Sequence, residues 1–323
     1  MTHKFEGSVR AVFFCLAALI LMHAKGFALD KRASSALSHY IMAGLYDQEG
    51  LVRDSIREYK EALKADYKNA SIHSKLASGY IKNKEFDKAI TELNLAISLD
   101  PETVEAHALL VLLYSSQNKI EEASREYEIA LSNASKLEPG NIEIYKSLGS
   151  FYLQQKKFKD AERTFRMILE LSPKDAQAHF YLGNIYDELK DRRQAEKELQ
   201  AALAAQPDYA LALNYLGYLY IEENKNLDTA EAMIKKALEI EPDNGAYVDS
   251  LGWLYFKQGK LEEAVKELER ASLLLEDPVI YDHLGDAYLK MGNAEKARIN
   301  WQKFLNLEPG QDKVKAKLES INK

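Results

Sequence analysis

Four of the seven histidines, His39, His73, His107 and His179, recur at one place in a unit of about 34 residues. Aligned imidazoles raise the question of a metal ladder. Zinc requires nitrogens about 2.0–2.1 Å from the ion. Equivalent places in neighbouring helical units lie about 10 Å apart, so one ion cannot join them. Imidazole is therefore expected to pack at these positions, and neither a metal nor any other cofactor is expected. No HExxH, GxSxG or GxxxxGK[ST] sequence is present. Paired acids such as Glu262–Glu263 fall at helix starts, where they complement the helix dipole. The chain is not expected to be an enzyme. The remaining chemistry is aromatic: LGWLYFKQGKLEEA, from Leu251 to Ala264, sets Trp253, Tyr255 and Phe256 beside Gly252.

Charge narrows the choice of partners. Lys plus Arg total 43 against 50 Asp plus Glu, a net charge of −7, within 323 residues. The first 28 residues carry Lys4, Arg10 and Lys25 against Glu6, so the rest carries −7 − 2 = −9. Nucleic acid binding draws its affinity from Lys and Arg that displace counterions, and adhesion to anionic lipid needs the same sign. Neither is expected.

The N-terminus has the layout of a secretory signal peptide: a weakly basic start, the apolar run Ala11 to Met22, then Gly26 and Ala28. Residues 1–28 are expected to be removed after Ala28, with 29–35 as a linker and no stable membrane insertion of the mature chain. The alternative is an uncleaved N-terminal anchor, although a spanning helix needs about 20 apolar residues and His23 and Lys25 cut this run short. The single cysteine, Cys15, lies inside the leader behind Phe13 and Phe14, which are unlike the small residues of a lipobox. Disulfides and thiol chemistry are thereby excluded from the mature chain.

The chain repeats itself. LASGYIKNKEFDKA, LVLLYSSQNKIEEA, LGSFYLQQKKFKDA, LGNIYDELKDRRQA, LGWLYFKQGKLEEA and LGDAYLKMGNAEKA share Tyr at the fifth place and Ala at the fourteenth. The units begin near Ala36, Ala70, Val104, Ile142, Ala176, Ala210, Gly245 and Pro278, at steps of 34, 34, 38, 34, 34, 35 and 33. Counting from each start, position 8 holds Ala43, Ala77, Val111, Gly149, Gly183, Gly217, Gly252 and Gly285. Position 11 is Tyr46, Tyr80, Tyr114, Tyr152, Tyr186, Tyr220, Tyr255 and Tyr288. Position 20 is small throughout, with Ala230 one place late. Pro101, Pro139, Pro173, Pro207, Pro242 and Pro309 stop second helices, because proline cannot continue the hydrogen-bond ladder.

This pattern closely resembles the tetratricopeptide repeat, a 34-residue helix–turn–helix unit. The resemblance covers Ala36 to Pro309. It implies an all-α fold, a right-handed α-solenoid of about eight hairpins over 36–309. A capping helix over 310–323 is expected to place Val314, Leu318 and Ile321 on the last hairpin. The four extra residues around SNASKLEPG imply either a hinge or a longer helix.

In this family the inner face is lined by first-helix positions 2, 5, 6, 9, 12 and 13. Here those positions give Phe180, Tyr181, Asn184 and Asp187, then Asn214, Tyr215 and Tyr218, then Asp249, Trp253 and Phe256, and last Asp282, His283 and Asp286. The first three units offer mainly Ser and Ala. The resemblance thus implies a groove in the C-terminal half for an extended peptide or helix with apolar and basic side chains, its aromatics serving as anchors. The Lys–Asn–Arg clamp for acidic C-termini is absent, as is the position-6 Asn ladder of the glycosyltransferase superhelix. The run from Ala212 to Tyr288 resembles exported bacterial repeat proteins. The expectation is a non-catalytic adaptor that binds another protein in the bacterial periplasm. The alternative is a regulatory or substrate-presenting subunit of an envelope biogenesis enzyme. Two Asn-x-Ser sequons, at Asn69 and Asn133, matter only in a eukaryotic secretory pathway.

Overall fold

The computed structural model describes residues 31–321. The expected leader lies outside the described residues. In chain order the helices are α1 (Lys31–Gln48), α2 (Val52–Ala65), α3 (Ala70–Lys82), α4 (Phe86–Leu99), α5 (Val104–Ser116), α6 (Ile120–Leu137), α7 (Ile142–Gln154) and α8 (Phe158–Leu171). They continue with α9 (Ala176–Glu188), α10 (Arg192–Ala205), α11 (Ala210–Glu222), α12 (Leu227–Ile240), α13 (Gly245–Lys257), α14 (Leu261–Leu274), α15 (Pro278–Lys290), α16 (Ala294–Leu307) and α17 (Asp312–Ser320). No strand occurs among the described residues, and none of these helices is long and apolar enough to cross a membrane. Two compact units divide the chain between Leu148 and Gly149, inside α7. Each is a row of antiparallel hairpins.

Local chemistry sets the helix ends. Asn69, Asp175, Asp191, Asn244, Asp277 and Asn293 accept a backbone N–H from the first turn of the helix they precede, which relieves donors that the helix leaves unpaired. Within every hairpin the turn passes through one left-handed residue at position 15. These are Gly50, Lys84, Asn118, Lys156, Lys190, Asn224, Gly259 and Gly292, with φ between 50° and 83°. Asn226 is left-handed too, at φ 51°. The extra residue ahead of Ala230 is thus absorbed in the turn, and Ala230 remains fully buried.

Small residues let the paired helices close up. A methyl group added at Gly183 would lie 2.7 Å from Leu199, at Gly252 2.7 Å from Leu268, and at Gly285 2.2 Å from Trp301. In the first unit Ala77 and Ala89 are fully buried, in a core with Leu76, Leu93 and Leu110. In the second unit the C-terminal core gathers Leu268, Leu284, Trp301 and Phe304.

Three details differ from, or decide between, the sequence expectations. Residues expected to belong to a linker are helical from Lys31, five places before Ala36, because Ala36 and Tyr40 find cover on the same helix face. Of the two expectations for the four extra residues, the structure shows the longer helix. They lengthen α6 to 18 residues where the other second helices have 14, about one helical turn. That added turn is tied back to the α4–α5 loop: buried Asn133 donates to Pro101 O at 3.1 Å and Lys136 Nζ to Glu102 Oε1 at 2.8 Å. The last helix is α17, with Val314 buried and Leu318 and Ile321 packed on the C-terminal core.

Candidate functional site

The four aligned histidines make side-chain staples. Each Nδ1 faces a glutamate 19 residues later on the partner helix: His39–Glu58 at 2.7 Å, His73–Glu92 at 2.6 Å, His107–Glu126 at 2.5 Å and His179–Glu198 at 2.7 Å. In three of them Nε2 faces a carbonyl six residues earlier, of Tyr67, Pro101 or Pro173. Tyr145 takes the same place in α7 and donates to Pro139 O at 3.1 Å. Imidazole here ties the inter-hairpin loop to both helices. No group of three metal-ligating side chains occurs among the described residues. The signal was present in the sequence, as a Glu 19 places after each His, and was overlooked.

In the second unit, the expected inner-face residues of α9, α11, α13 and α15 fall on neighbouring first helices, joined by polar bonds from one hairpin to the next. Tyr215 donates to Asp187 Oδ2 at 2.9 Å and receives Asn184 Nδ2 at 3.2 Å. Asp187 is also paired with Arg192 Nε at 3.0 Å. Trp253 Nε1 donates to Glu222 Oε1 at 2.8 Å. Asp249 faces His283 Nδ1 at 2.9 Å, both side chains buried. Lys317 of α17 reaches Asp282 Oδ1 at 2.6 Å and Asp286 Oδ1 at 2.7 Å. Burial pushes the Asp286 carboxyl up, although Lys317 opposes the shift.

This arrangement corrects the expectation of open anchors in several places. Trp253 is only 8% exposed. Its ring lies between Phe256, 4.6 Å away and nearly parallel, and His283, 4.0 Å away, with Lys257 Nζ 4.8 Å over its face. Phe256 is half-buried and carries Lys290 Nζ at 4.6 Å. Phe180 is buried among Tyr181, Tyr209 and Tyr215, and Tyr181 stacks on Phe165 at 4.8 Å. Asp249, Asp282 and Asp286, expected to meet a basic partner, already hold His283 and Lys317. A first helix in such an array has a neighbour on each flank, and large side chains at positions 5 and 9 are captured by it.

What remains accessible is narrower. A cavity of about 210 Å³ is walled by Asn214, Tyr215, Tyr218, Ala246, Asp249 and Ser250, with Leu275, Asp277, Val279 and Ile280 on the adjoining side. Tyr215 and Tyr218 are half-buried there, and burial raises both phenols well above the ordinary tyrosine range. Leu275 and Val279 stay 39% and 45% exposed, and Leu273 is 87% exposed. Asn214 Oδ1 is buried with no hydrogen-bond partner, a costly state unless another donor supplies the bond. Sequence reasoning placed Asn214, Tyr215 and Tyr218 on this face but missed Leu275, Asp277 and Val279, which lie on the inter-hairpin loop and the following helix start. The run LLLED, Leu273 to Asp277, was the available signal.

Stacked hairpins carrying a side-chain-sized recess define an α-solenoid of the protein-interaction class. Tetratricopeptide repeat profiles match residues 42–102, 109–176, 148–191, 180–245, 222–282 and 279–311. The chain belongs to the tetratricopeptide repeat family. Among solved structures, it is similar to a chain of the APC/C hetero-tetramer Cut9–Hcn1, with a TM-score of 0.58 and 19% identity over 84% of this chain and 53% of that one. The chain thus spans about half the length of that relative. A tetratricopeptide repeat protein from Parabacteroides merdae ATCC 43184 also has a TM-score of 0.58, at 20% identity over 79% of this chain and 99% of the other. At such identities the likeness is one of fold. The repeat is generally a non-catalytic module that binds other proteins, and this chain is a protein-interaction scaffold.

Proposed function

We propose that the scaffold holds an extended segment of another protein against α11 and α13, with one apolar side chain seated in the cavity beside Tyr215 and Tyr218. The carrying observation is a recess walled by Asn214, Tyr215 and Tyr218 and bordered by the exposed side chains of Leu275 and Val279. The recess is smaller than the roughly 300–1,000 Å³ of a small-molecule pocket and suits a single side chain. Asp277 in the cavity wall favours a basic residue next to the apolar one.

The test is a photo-crosslinking Val279→p-benzoylphenylalanine variant, with the captured segment identified and then titrated against the full chain. Tyr218→Ala combined with Asn214→Ala is expected to weaken that segment by about 2 kcal/mol or more and leave the melting curve in place. Crosslinks confined to other surfaces, or an unchanged affinity, would remove this site.

Export to the bacterial periplasm is part of the proposal and is supported by the leader layout. A mature N-terminus at Leu29 in a periplasmic fraction is the expected observation. A cytosolic chain that retains Met1 would contradict it.

A further inference from the structure

The last hairpin is capped and the first is not. At the C-terminal end α17 covers the core edge with Val314, Leu318 and Ile321 and turns Lys313, Lys315, Glu319 and Ser320 to solvent, as a terminal cap requires. At the first hairpin the repeat's own core positions stand open. Position 7 is leucine in the seven later hairpins, from Leu76 to Leu284, and is never more than 7% exposed there. In α1 it is Met42, 37% exposed. Position 10 lies three places on, along the same helix face, and meets the second helix of the preceding hairpin: a Cβ at Gly79 would lie 2.9 Å from Ile56 of α2. Leu113, Ile185, Leu219 and Leu254 are buried at that position, whereas Leu45 is half-buried. Leu51, at the following turn, is 44% exposed where every later hairpin has a polar residue. Single exposed leucines are ordinary, but Met42 and Leu45 occupy the stripe that the later hairpins bury.

We propose that this stripe is a self-association surface, on which a second copy of the chain docks first hairpin to first hairpin about a two-fold axis. The contact at positions 7 and 10 is the one that stacks hairpin on hairpin within the chain, so a second α1 continues an interface the fold already uses. A head-to-tail stack would need a bare last hairpin, and α17 covers that one, which leaves the closed, isologous arrangement. Charge sets the direction. α1 begins with Lys31 and Arg32 and ends near Asp47 and Glu49, so antiparallel copies bring opposite signs together and parallel copies oppose like signs. The dimer carries the recess beside Tyr218 twice. Where that recess holds a partner segment, a partner with two such segments gains affinity by multivalency.

Sedimentation equilibrium of the chain as its cells process it, with no partner added, is the test. A monomer–dimer equilibrium is expected, with the dimer prevailing at roughly 100 μM. Met42→Glu sets like charges against each other across the axis and should weaken the dimer at least about tenfold, with helix content unchanged. Met42→Lys should do the same. An equal mixture of the two variants should regain the dimer, because opposite charges then face each other; a variant that had merely lost packing or failed to fold would regain nothing. Monomers at every concentration, a dimer that neither variant weakens, or no recovery in the mixture would each overturn the proposal. Filaments would overturn it too, since they need a head-to-tail contact. The crosslink at Val279 reports on the Tyr218 recess whether or not the chain pairs, so the two readings fail separately.

Discussion

Trp253 donates its indole N–H to Glu222 Oε1 across the α11–α13 contact, with its ring enclosed by Phe256 and His283. A side chain held in this way stabilises the stack and is unavailable as an anchor. Trp253→Ala is expected to cost about 3–5 kcal/mol by denaturant unfolding. Trp253→Phe, which keeps an aromatic ring and loses one hydrogen bond to a partly exposed carboxylate, is expected to cost about 1 kcal/mol. Equal, small losses for both would mean the ring is free.

Gly285 and Gly44 make a matched pair. A Cβ at Gly285 meets Trp301 at 2.2 Å and Trp301 is fully buried, so Gly285→Ala should destabilise by about 1–3 kcal/mol. Nothing lies within 4 Å of a Cβ at Gly44, inside α1. Gly44→Ala is therefore expected to stabilise by about 0.5–1 kcal/mol through helix propensity. Melting temperatures that move in the same direction would contradict the packing account.

The left-handed turn residue offers another gain. Lys190, at φ 65°, is exposed and holds a conformation that costs an L-residue about 1–2 kcal/mol. Lys190→Gly is expected to return about 1 kcal/mol of that, as are the changes at Lys84 and Lys156. Thermal unfolding of the three single variants measures it.

Acid should loosen the second unit. A hydrogen bond from Tyr186 holds the Glu162 carboxyl below its ordinary value near 4.5, and bonds from Lys225 and Lys235 do the same for Glu196 and Glu231. A lowered folded-state pKa gives stability that is present above about pH 4.5 and is lost as pH falls through the folded value. Replacing all three by Gln should flatten the decline in melting temperature between about pH 5 and pH 3. A decline as steep as that of the unmodified chain would mean these bonds do not carry the effect.

The hairpins were legible because their causes are local and repeated. Tyr at position 11, small residues at positions 8 and 20 and the closing prolines each act within one unit or against the next helix, and eight copies average out the exceptions. The candidate site was legible in part. Asn214, Tyr215 and Tyr218 could be placed on the inner face by counting, yet the same count gave Trp253, Asp249 and Phe180 equal standing. Nothing in their own surroundings along the chain separates a captured side chain from an open one.

The sequence by itself determined the stack of helical hairpins, since each contact that builds one is fixed by periodicity over a few turns. Tertiary structure alone decided which inner-face groups stay available. Asp187 meets Tyr215 28 residues on, Glu222 meets Trp253 31 on, Asp249 meets His283 34 on and Asp282 meets Lys317 35 on. Those pairs join different repeat positions on successive elements, so which groups meet depends on how the hairpins pack together, which no single repeat encodes.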